Sequence, residues 1–213
     1  MTAPRAAPAE PAGSADPVRI PVWYDFSSTL CYVAHRLMGR MAPFLEEQGI
    51  ELAWQPLDLT QLLAPYERGR QVPEIRRANA HRVAADVGVN VTAPALWHDS
   101  RPAHALALTL AGGIHEPSWR ERVFTAVFEE GRGPPDEAQV RHFARELVLD
   151  VAPEAVAHGW QTLRLTTEEA REQMVTGVPT FMLGEWPFGG IQTEETMKHM
   201  LGRYVTRKRA GML

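Results

Sequence analysis

The stretch from Ile20 to Cys31, IPVWYDFSSTLC, contains the signals that decide the fold. Its first seven residues are rich in β-branched and aromatic side chains, and they are followed by the two small polar residues Ser27 and Ser28. Short runs of this composition, bounded by turn-forming residues, are typical of strands. The sequence therefore predicts a strand over 20–26 and a helix that begins almost at once after it.

The segment that follows predicts a helix and then a second strand. Apolar residues recur at three- and four-residue spacing from Leu30 to Phe44, which is the period of one helix face. Pro43 lies inside this pattern and predicts a kink, because proline lacks a backbone donor and crowds the preceding turn. Gly49 is expected to end the helix, and Ile50 to Leu57 alternates like a strand. A strand, a helix and a strand with short links predict a βαβ unit, which is right-handed in nearly all proteins.

The rest of the chain predicts a long helical block followed by a hairpin and a last helix. Thr166 and Glu169 have the spacing of a capping box, which favours a separate helix after residue 166. The expected fold class is α/β, a thioredoxin-like βαβ…ββα core with an all-helical insertion. The expected divisions are a tail over 1–17, a core over 18–66 and 177–207, and an insertion over 67–176. Within them we expect helices at 73–87, 102–111, 118–130, 136–149, 153–164 and 167–175, strands at 180–183 and 186–191, and a helix at 193–205.

Composition excludes several classes of protein. Of 213 residues, 45% are hydrophobic and 23% are charged, as in ordinary globular domains. The net charge of −4 gives no basic signature for nucleic acid. No apolar run approaches the roughly 20 residues of a membrane-spanning helix. We therefore expect neither a nucleic-acid nor a membrane partner. The sequence does not decide between a monomer and a homodimer.

The first 17 residues are rich in Ala and Pro and contain no apolar block. A secretory signal needs about 7–15 consecutive apolar residues. This segment is therefore interpreted as a disordered tail on a cytoplasmic protein, or as a cleaved or tag-derived leader.

The single cysteine, Cys31, lies near the predicted start of the first helix. One thiol excludes an internal disulfide and a two-cysteine redox cycle in the monomer. Unpaired amides at a helix N-terminus favour a thiolate, whereas free cysteines are often buried and inert. Ser28 lies one turn before it and suits both a helix cap and a donor to a bound reactant.

The second chemical feature is the segment from Gly177 to Phe181, GVPTF, directly before the predicted third strand. Pro179 at the mouth of a strand predicts a rigid turn with a cis Val178–Pro179 bond. Arg76 and Arg77 are interpreted as a solvated helix face.

These segments, in this order, resemble the DsbA family of thioredoxin-fold proteins, over about residues 18–206. Two branches are similar: the FrnE-type DsbA-like oxidoreductases, and the kappa-class glutathione transferases with the 2-hydroxychromene-2-carboxylate isomerases. The supporting residues are Ser28-x-x-Cys31, Asp25-Phe26, Cys31-Tyr32, Ala103-His104, Phe128 to Arg132, Val178-Pro179 and Gly190 to Gln192.

The positions at which this chain differs from each branch bear on the function that the resemblance implies. The oxidoreductase branch has a nucleophilic Cys where this chain has Ser28, and Thr29-Leu30 replaces its usual Pro-Trp. The transferase branch has a Ser there, which stabilises the glutathione thiolate. That branch also has an acidic residue near the last helix, where this chain has Gln192.

The resemblance thus implies an oxidoreductase-family protein with a single-cysteine site that uses glutathione or another small thiol as co-substrate, for transfer or isomerisation. No permanently bound cofactor and no metal are expected, since the histidines, including His104, lack ligand spacing. The expected catalytic residues are Ser28 and Cys31, and the expected substrate-binding residues are Thr29, Leu30, Val178, Pro179 and Gln192. The alternative is an inactive thiol- or peptide-binding module.

Overall fold

The computed structural model describes residues 16–62 and 67–213. Most of the predicted tail, residues 1–15, therefore lies outside the described residues, and residues 16 and 17 have no regular secondary structure. The elements in chain order are β1 Val18–Tyr24, α1 Thr29–Arg40, α2 Ala42–Glu47, β2 Ile50–Pro56, α3 Leu59–Leu62, α4 Glu74–Asp86, α5 Arg101–Thr109, α6 Glu116–Phe128, α7 Glu137–Glu146, α8 Pro153–Glu172, β3 Thr180–Leu183, β4 Trp186–Gly189 and α9 Glu194–Arg209.

The four strands form one mixed sheet in the order β2-β1-β3-β4. β1 pairs in parallel with β2, so that Val18 lies opposite Ile50. β3 pairs antiparallel with both β1 and β4. In chain order, helices α3 to α8 lie between β2 and β3, which confirms the predicted α/β thioredoxin-like core with a helical insertion. An isolated antiparallel bridge joins Gln71 to Leu96 inside that insertion.

The core lies between β1 and the helices that cover it. Ile20 and Val22 of β1 are fully buried, as are Leu37 of α1 and Phe124 of α6. These residues belong to one contiguous apolar cluster that extends from the sheet into the insertion. The sheet and the insertion therefore share a core. Among the described residues, no helix combines the length and apolar character needed to cross a membrane.

The predicted first helix is two helices in the structure. α1 ends at Arg40 and α2 begins at Ala42, with Pro43 in the first turn of α2. Proline is tolerated there because the first turn has no intrahelical acceptor for its missing N–H. Gly49 follows with a φ of +59°, a conformation that favours glycine. The short helix α3 was not predicted.

The two helices predicted at 153–164 and 167–175 are wrong, because α8 runs through both without a break. Thr166 does not cap a new helix. Its hydroxyl donates to the carbonyls of Pro56 at 2.9 Å and Leu163 at 3.1 Å. The Thr167 hydroxyl accepts the amide of Asp58 at 2.9 Å. Packing of α8 against the end of β2 therefore overrides the local capping signal.

Candidate active site

Ser28 caps the N-terminus of α1. Its backbone is extended, with φ −90° and ψ 115°, and its Oγ accepts the amide of Cys31 at 3.4 Å. Its own amide donates to the carbonyl of Asp25 at 3.0 Å. The residue is 8% exposed, and it lies on the wall of a cavity. The Oγ accepts in this cap bond, so the bond itself does not use the hydroxyl proton.

Cys31 lies one turn inward and is completely buried. Burial raises the pKa of its thiol to about 12, and hydrogen bonding by the Ser28 side chain opposes this only in part. The positive end of α1 therefore does not produce a thiolate at neutral pH. Of the two interpretations that the sequence left open, the structure favours the packed and unreactive cysteine.

A buried carboxylate holds the turn before Ser28. Asp25 is 1% exposed, and its Oδ1 accepts the amide and the hydroxyl of Ser27, both at 2.8 Å, and the hydroxyl of Ser100 at 2.7 Å. Its Oδ2 accepts the amide of Leu59 at 2.8 Å. Asp25 thus joins the end of β1 to the starts of α3 and α5. In the sequence, Asp25 contributes only to a family motif, and nothing near it indicates this role.

Burial alone would raise the pKa of Asp25, but interaction with His104 and hydrogen bonds from Ser100 and Ser27 lower it to about 2. His104 is completely buried, and its Nε2 lies 3.3 Å from Asp25 Oδ1 and 3.3 Å from the amide nitrogen of Phe26. Asp25 is therefore ionised at neutral pH, beneath the loop that carries Ser28.

The cavity at Ser28 has a volume of about 110 Å³. The start of α1 forms one wall, and the first turns of α4 form the opposite wall. Arg76 and Arg77 were interpreted as a solvated helix face, but they line this cavity. The lining residues are Ser27, Ser28, Thr29, Leu30, Leu59, Val72, Arg76, Arg77, Asn79, Ala80, Pro94, Trp97 and Val178.

Arg76 is exposed and Arg77 is partly buried. The Nε of Arg77 is inaccessible to solvent, and it has no hydrogen-bond partner among the described residues. A buried guanidinium nitrogen without an acceptor is costly, so this wall is suited to an anionic group. The sequence signal that could have found it is the pair of arginines in the first turns of a helix.

The other predicted site residues divide into two groups. Val178 reaches the cavity, and the Val178–Pro179 bond is cis. Pro179 is buried behind it. Gln192 does not join the site: it is exposed before α9 and does not line the cavity, because Ile191 takes the inward position. No group of three or more metal-ligating side chains occurs in the part of the chain that the structure describes.

The sheet order, with helices inserted between β2 and β3 and a cis-proline turn facing the start of α1, defines a thioredoxin-fold protein with a helical insertion. More narrowly, the chain belongs to the DSBA-like thioredoxin domain family, which matches residues 19–202. A comparison with curated proteins gave no match.

Solved structures share the fold at low sequence identity. A 2-hydroxychromene-2-carboxylate isomerase is 20% identical, with a TM-score of 0.68 over 92% of this chain and 100% of that chain. A probable DsbA oxidoreductase from Streptomyces coelicolor is 18% identical, with a TM-score of 0.66 over 87% and 89% of the two chains. The cytosolic disulfide reductase DsbM from Pseudomonas aeruginosa, solved with GSH, is 18% identical, with a TM-score of 0.63 over 92% and 99%.

Proposed function

We propose that this protein binds a small acidic thiol, glutathione in the first instance, and stabilises its thiolate at Ser28 for transfer or isomerisation. The observation that carries the proposal is the arrangement of the cavity: Ser28 at a helix N-terminus lines the same cavity as Arg76 and Arg77, while the cysteine is buried. Disulfide exchange within one chain needs two thiols, and this chain has one. The reacting sulfur is therefore supplied by the ligand.

The chemistry assigned to Ser28 is charge stabilisation. Its hydroxyl donates a hydrogen bond to the ligand sulfur, and the free amides of the first turn of α1 add partial positive charge. A hydrogen bond to a charged group contributes about 1.5–3 kcal/mol. That corresponds to lowering the thiol pKa by about one to two. The thiolate then adds to a conjugated carbon–carbon double bond of the second substrate, whose π electrons move onto the carbonyl as an enolate. In a transfer the enolate takes a proton from water, and with an aryl halide the halide ion leaves instead. In an isomerisation the new single bond rotates, and the enolate then expels the thiolate and restores the double bond.

The two arginines favour an acidic thiol over a neutral one. Glutathione carries two carboxylates, and guanidinium groups bind carboxylates through paired, charge-assisted hydrogen bonds. The cavity of about 110 Å³ encloses the thiol end only, so that the carboxylates lie against α4. DsbM, which shares the fold, was solved with GSH, and an isomerase shares it as well.

Calorimetric titration tests this proposal. Glutathione should bind the wild-type protein, and Ser28→Ala should raise the pKa of the bound thiol by about one to two, followed by thiolate absorbance. Arg77→Gln should weaken glutathione binding about tenfold and leave a neutral thiol such as mercaptoethanol unaffected. Arg82→Gln is the matched control, because Arg82 is an exposed α4 arginine bonded to Asp86. Equal thiol pKa values in wild type and Ser28→Ala would reject the role of Ser28.

A second candidate function is a peptide-binding module without turnover. Within the described residues, the backbone N–H and C=O of Val178 make no hydrogen bond. An extended peptide can add to such an edge as a strand. Turnover of glutathione with 2-hydroxychromene-2-carboxylate or a chlorodinitrobenzene separates the two: the enzyme gives product, whereas the module binds peptide and gives none.

A further inference from the structure

A second cavity lies within the insertion, between α5, α7 and α8. Its volume is about 290 Å³, compared with about 110 Å³ beside Ser28. Eight of its ten lining residues are apolar, and the other two are an acid and a base on α7. The lining residues are Pro102, Leu106, Glu137, Val140, Arg141, Ala144, Val151, Val156, Ala157 and Trp160.

The walls of this cavity are fixed by backbone contacts. At Gly159 of α8 an added Cβ would lie 2.1 Å from the carbonyl oxygen of Ala105 on α5, so the two helices already touch there. The start of α7 is held by a reciprocal capping box, in which Asp136 accepts from Gln139 at 2.8 Å and donates to it at 3.0 Å. Fixed helices lined by short side chains such as Ala144 leave the space open.

The size and the apolar lining of the cavity determine which apolar ring system it can hold. Protein interiors seldom leave voids larger than a water molecule, and a dry apolar cavity of about 150 Å³ holds a benzene ring. A volume of about 290 Å³ is sufficient for a flat ligand of two fused rings. Trp160 supplies an aromatic wall, which favours an aromatic partner in an offset or edge-to-face arrangement. Rigid rings also lose little conformational entropy on binding.

The charged pair on α7 defines the ligand's polar group. Arg141 Nη1 lies 3.9 Å from Glu137 Oε2, and both side chains are more than 60% exposed. This is the longest of the ion pairs at i,i+4 spacing in the described part of the chain; Lys198 and Glu194, for comparison, are 2.7 Å apart. Glu137 lies in the first turn of α7, where the helix dipole stabilises its charge. Arg141 is therefore the group of the pair that is available for a new anion.

We propose that this cavity binds a small aromatic carboxylate. The ring system occupies the apolar space between Leu106, Val140 and Trp160, and the carboxylate pairs with Arg141. The site is separate from the Ser28 cavity, with which it shares no lining residue. The proposal therefore does not depend on the function proposed above.

The test uses three ligands of the same shape and different charge: 2-naphthoate, 2-acetonaphthone and 2-naphthylmethylamine. Binding is followed by calorimetry and by intermolecular NOEs from the naphthalene protons. The carboxylate should bind most tightly, the neutral ketone less tightly and the amine most weakly. The naphthalene protons should show NOEs to the methyl groups of Leu106, Val140 and Val156. Tightest binding of the amine would overturn the assignment of charge. Binding without NOEs to these methyl groups would overturn the assignment of the ligand to this cavity.

Two variants locate the contacts. Ala157 is exposed at the cavity, so Ala157→Phe fills the space with little disturbance to the core and should weaken 2-naphthoate at least about tenfold. Arg141→Gln should weaken 2-naphthoate about two- to fivefold, the range of an exposed ion pair, and leave the ketone unchanged. Ser28→Ala should leave all three ligands unchanged. Unaltered 2-naphthoate binding by a folded Ala157→Phe protein would refute the proposal, whereas displacement of 2-naphthoate by glutathione would assign it to the Ser28 cavity instead.

Discussion

Removal of the Asp25 carboxylate should destabilise the fold in a manner that depends on pH. Asp25 is 1% exposed, and its pKa is lowered from 3.8 to about 2. A carboxylate with a lowered folded-state pKa contributes stability that is fully present above the unfolded-state pKa and is lost as the pH falls through the folded-state pKa. This lowering corresponds to about 2 kcal/mol.

Urea unfolding, followed by tryptophan fluorescence at a series of pH values, measures this contribution. The free energy of unfolding of wild type should exceed that of Asp25→Asn at about pH 5, and the difference should narrow by about 2 kcal/mol by about pH 2, where half of Asp25 is still ionised. Ser100→Ala removes one hydrogen-bond donor to the carboxylate. The free energy of unfolding of this variant should fall between about pH 5 and about pH 2 by less than that of wild type and by more than that of Asp25→Asn. If wild type and Asp25→Asn lose stability in parallel over this range, the buried network does not lower the pKa of Asp25.

Two further outcomes follow from buried contacts. Iodoacetamide should alkylate Cys31 of the folded protein far more slowly than free cysteine near neutral pH, because the thiol is buried with a pKa of about 12. Mass spectrometry measures the alkylation rate, and denaturant should raise it to that of free cysteine. Rapid labelling of the folded protein would contradict the burial. Gly159→Ala should lower the free energy of unfolding by more than about 2 kcal/mol, because the new Cβ would lie 2.1 Å from the carbonyl oxygen of Ala105. Gly39→Ala in α1, where nothing lies within 4 Å of the added Cβ, should instead stabilise the protein by up to about 1 kcal/mol. Thermal unfolding measures both glycine variants, and equal melting temperatures would refute the distinction.

The parts of the fold that depend on local sequence could be predicted. The strand over 180–183 has the predicted bounds, because a proline before it and a turn after it set both ends. A helix cap was one of the two roles that the sequence left open for Ser28, and the structure shows that cap, whose bond spans three residues. Local chemistry of this kind is visible in a single sequence.

The parts that depend on distant contacts could not be predicted. The break expected before residue 167 is absent because of contacts with residues more than 100 positions earlier. Thr166 is hydrogen-bonded to Pro56 at the end of β2, and Thr167 is hydrogen-bonded to Asp58. Arg77 was assigned to solvent because nothing in its own helix shows that the start of α1 lies on the other side of the cavity, but it is partly buried. The role of Asp25 depends on donors at residues 59 and 100. In each case tertiary structure, rather than local pattern, decides the outcome.

The position of β1 in the sheet has a consequence for synthesis of the protein on the ribosome. β1 is an inner strand whose partner β3 lies about 160 residues later, where Val22 pairs with Phe181. While residues beyond 180 are still inside the ribosome tunnel, the emerged chain has β1 as an open sheet edge. Open apolar edges promote aggregation. The pairing of β1 therefore cannot be completed until β3 has emerged. A chain that is terminated anywhere in the insertion keeps β1 as an open edge and cannot complete its sheet.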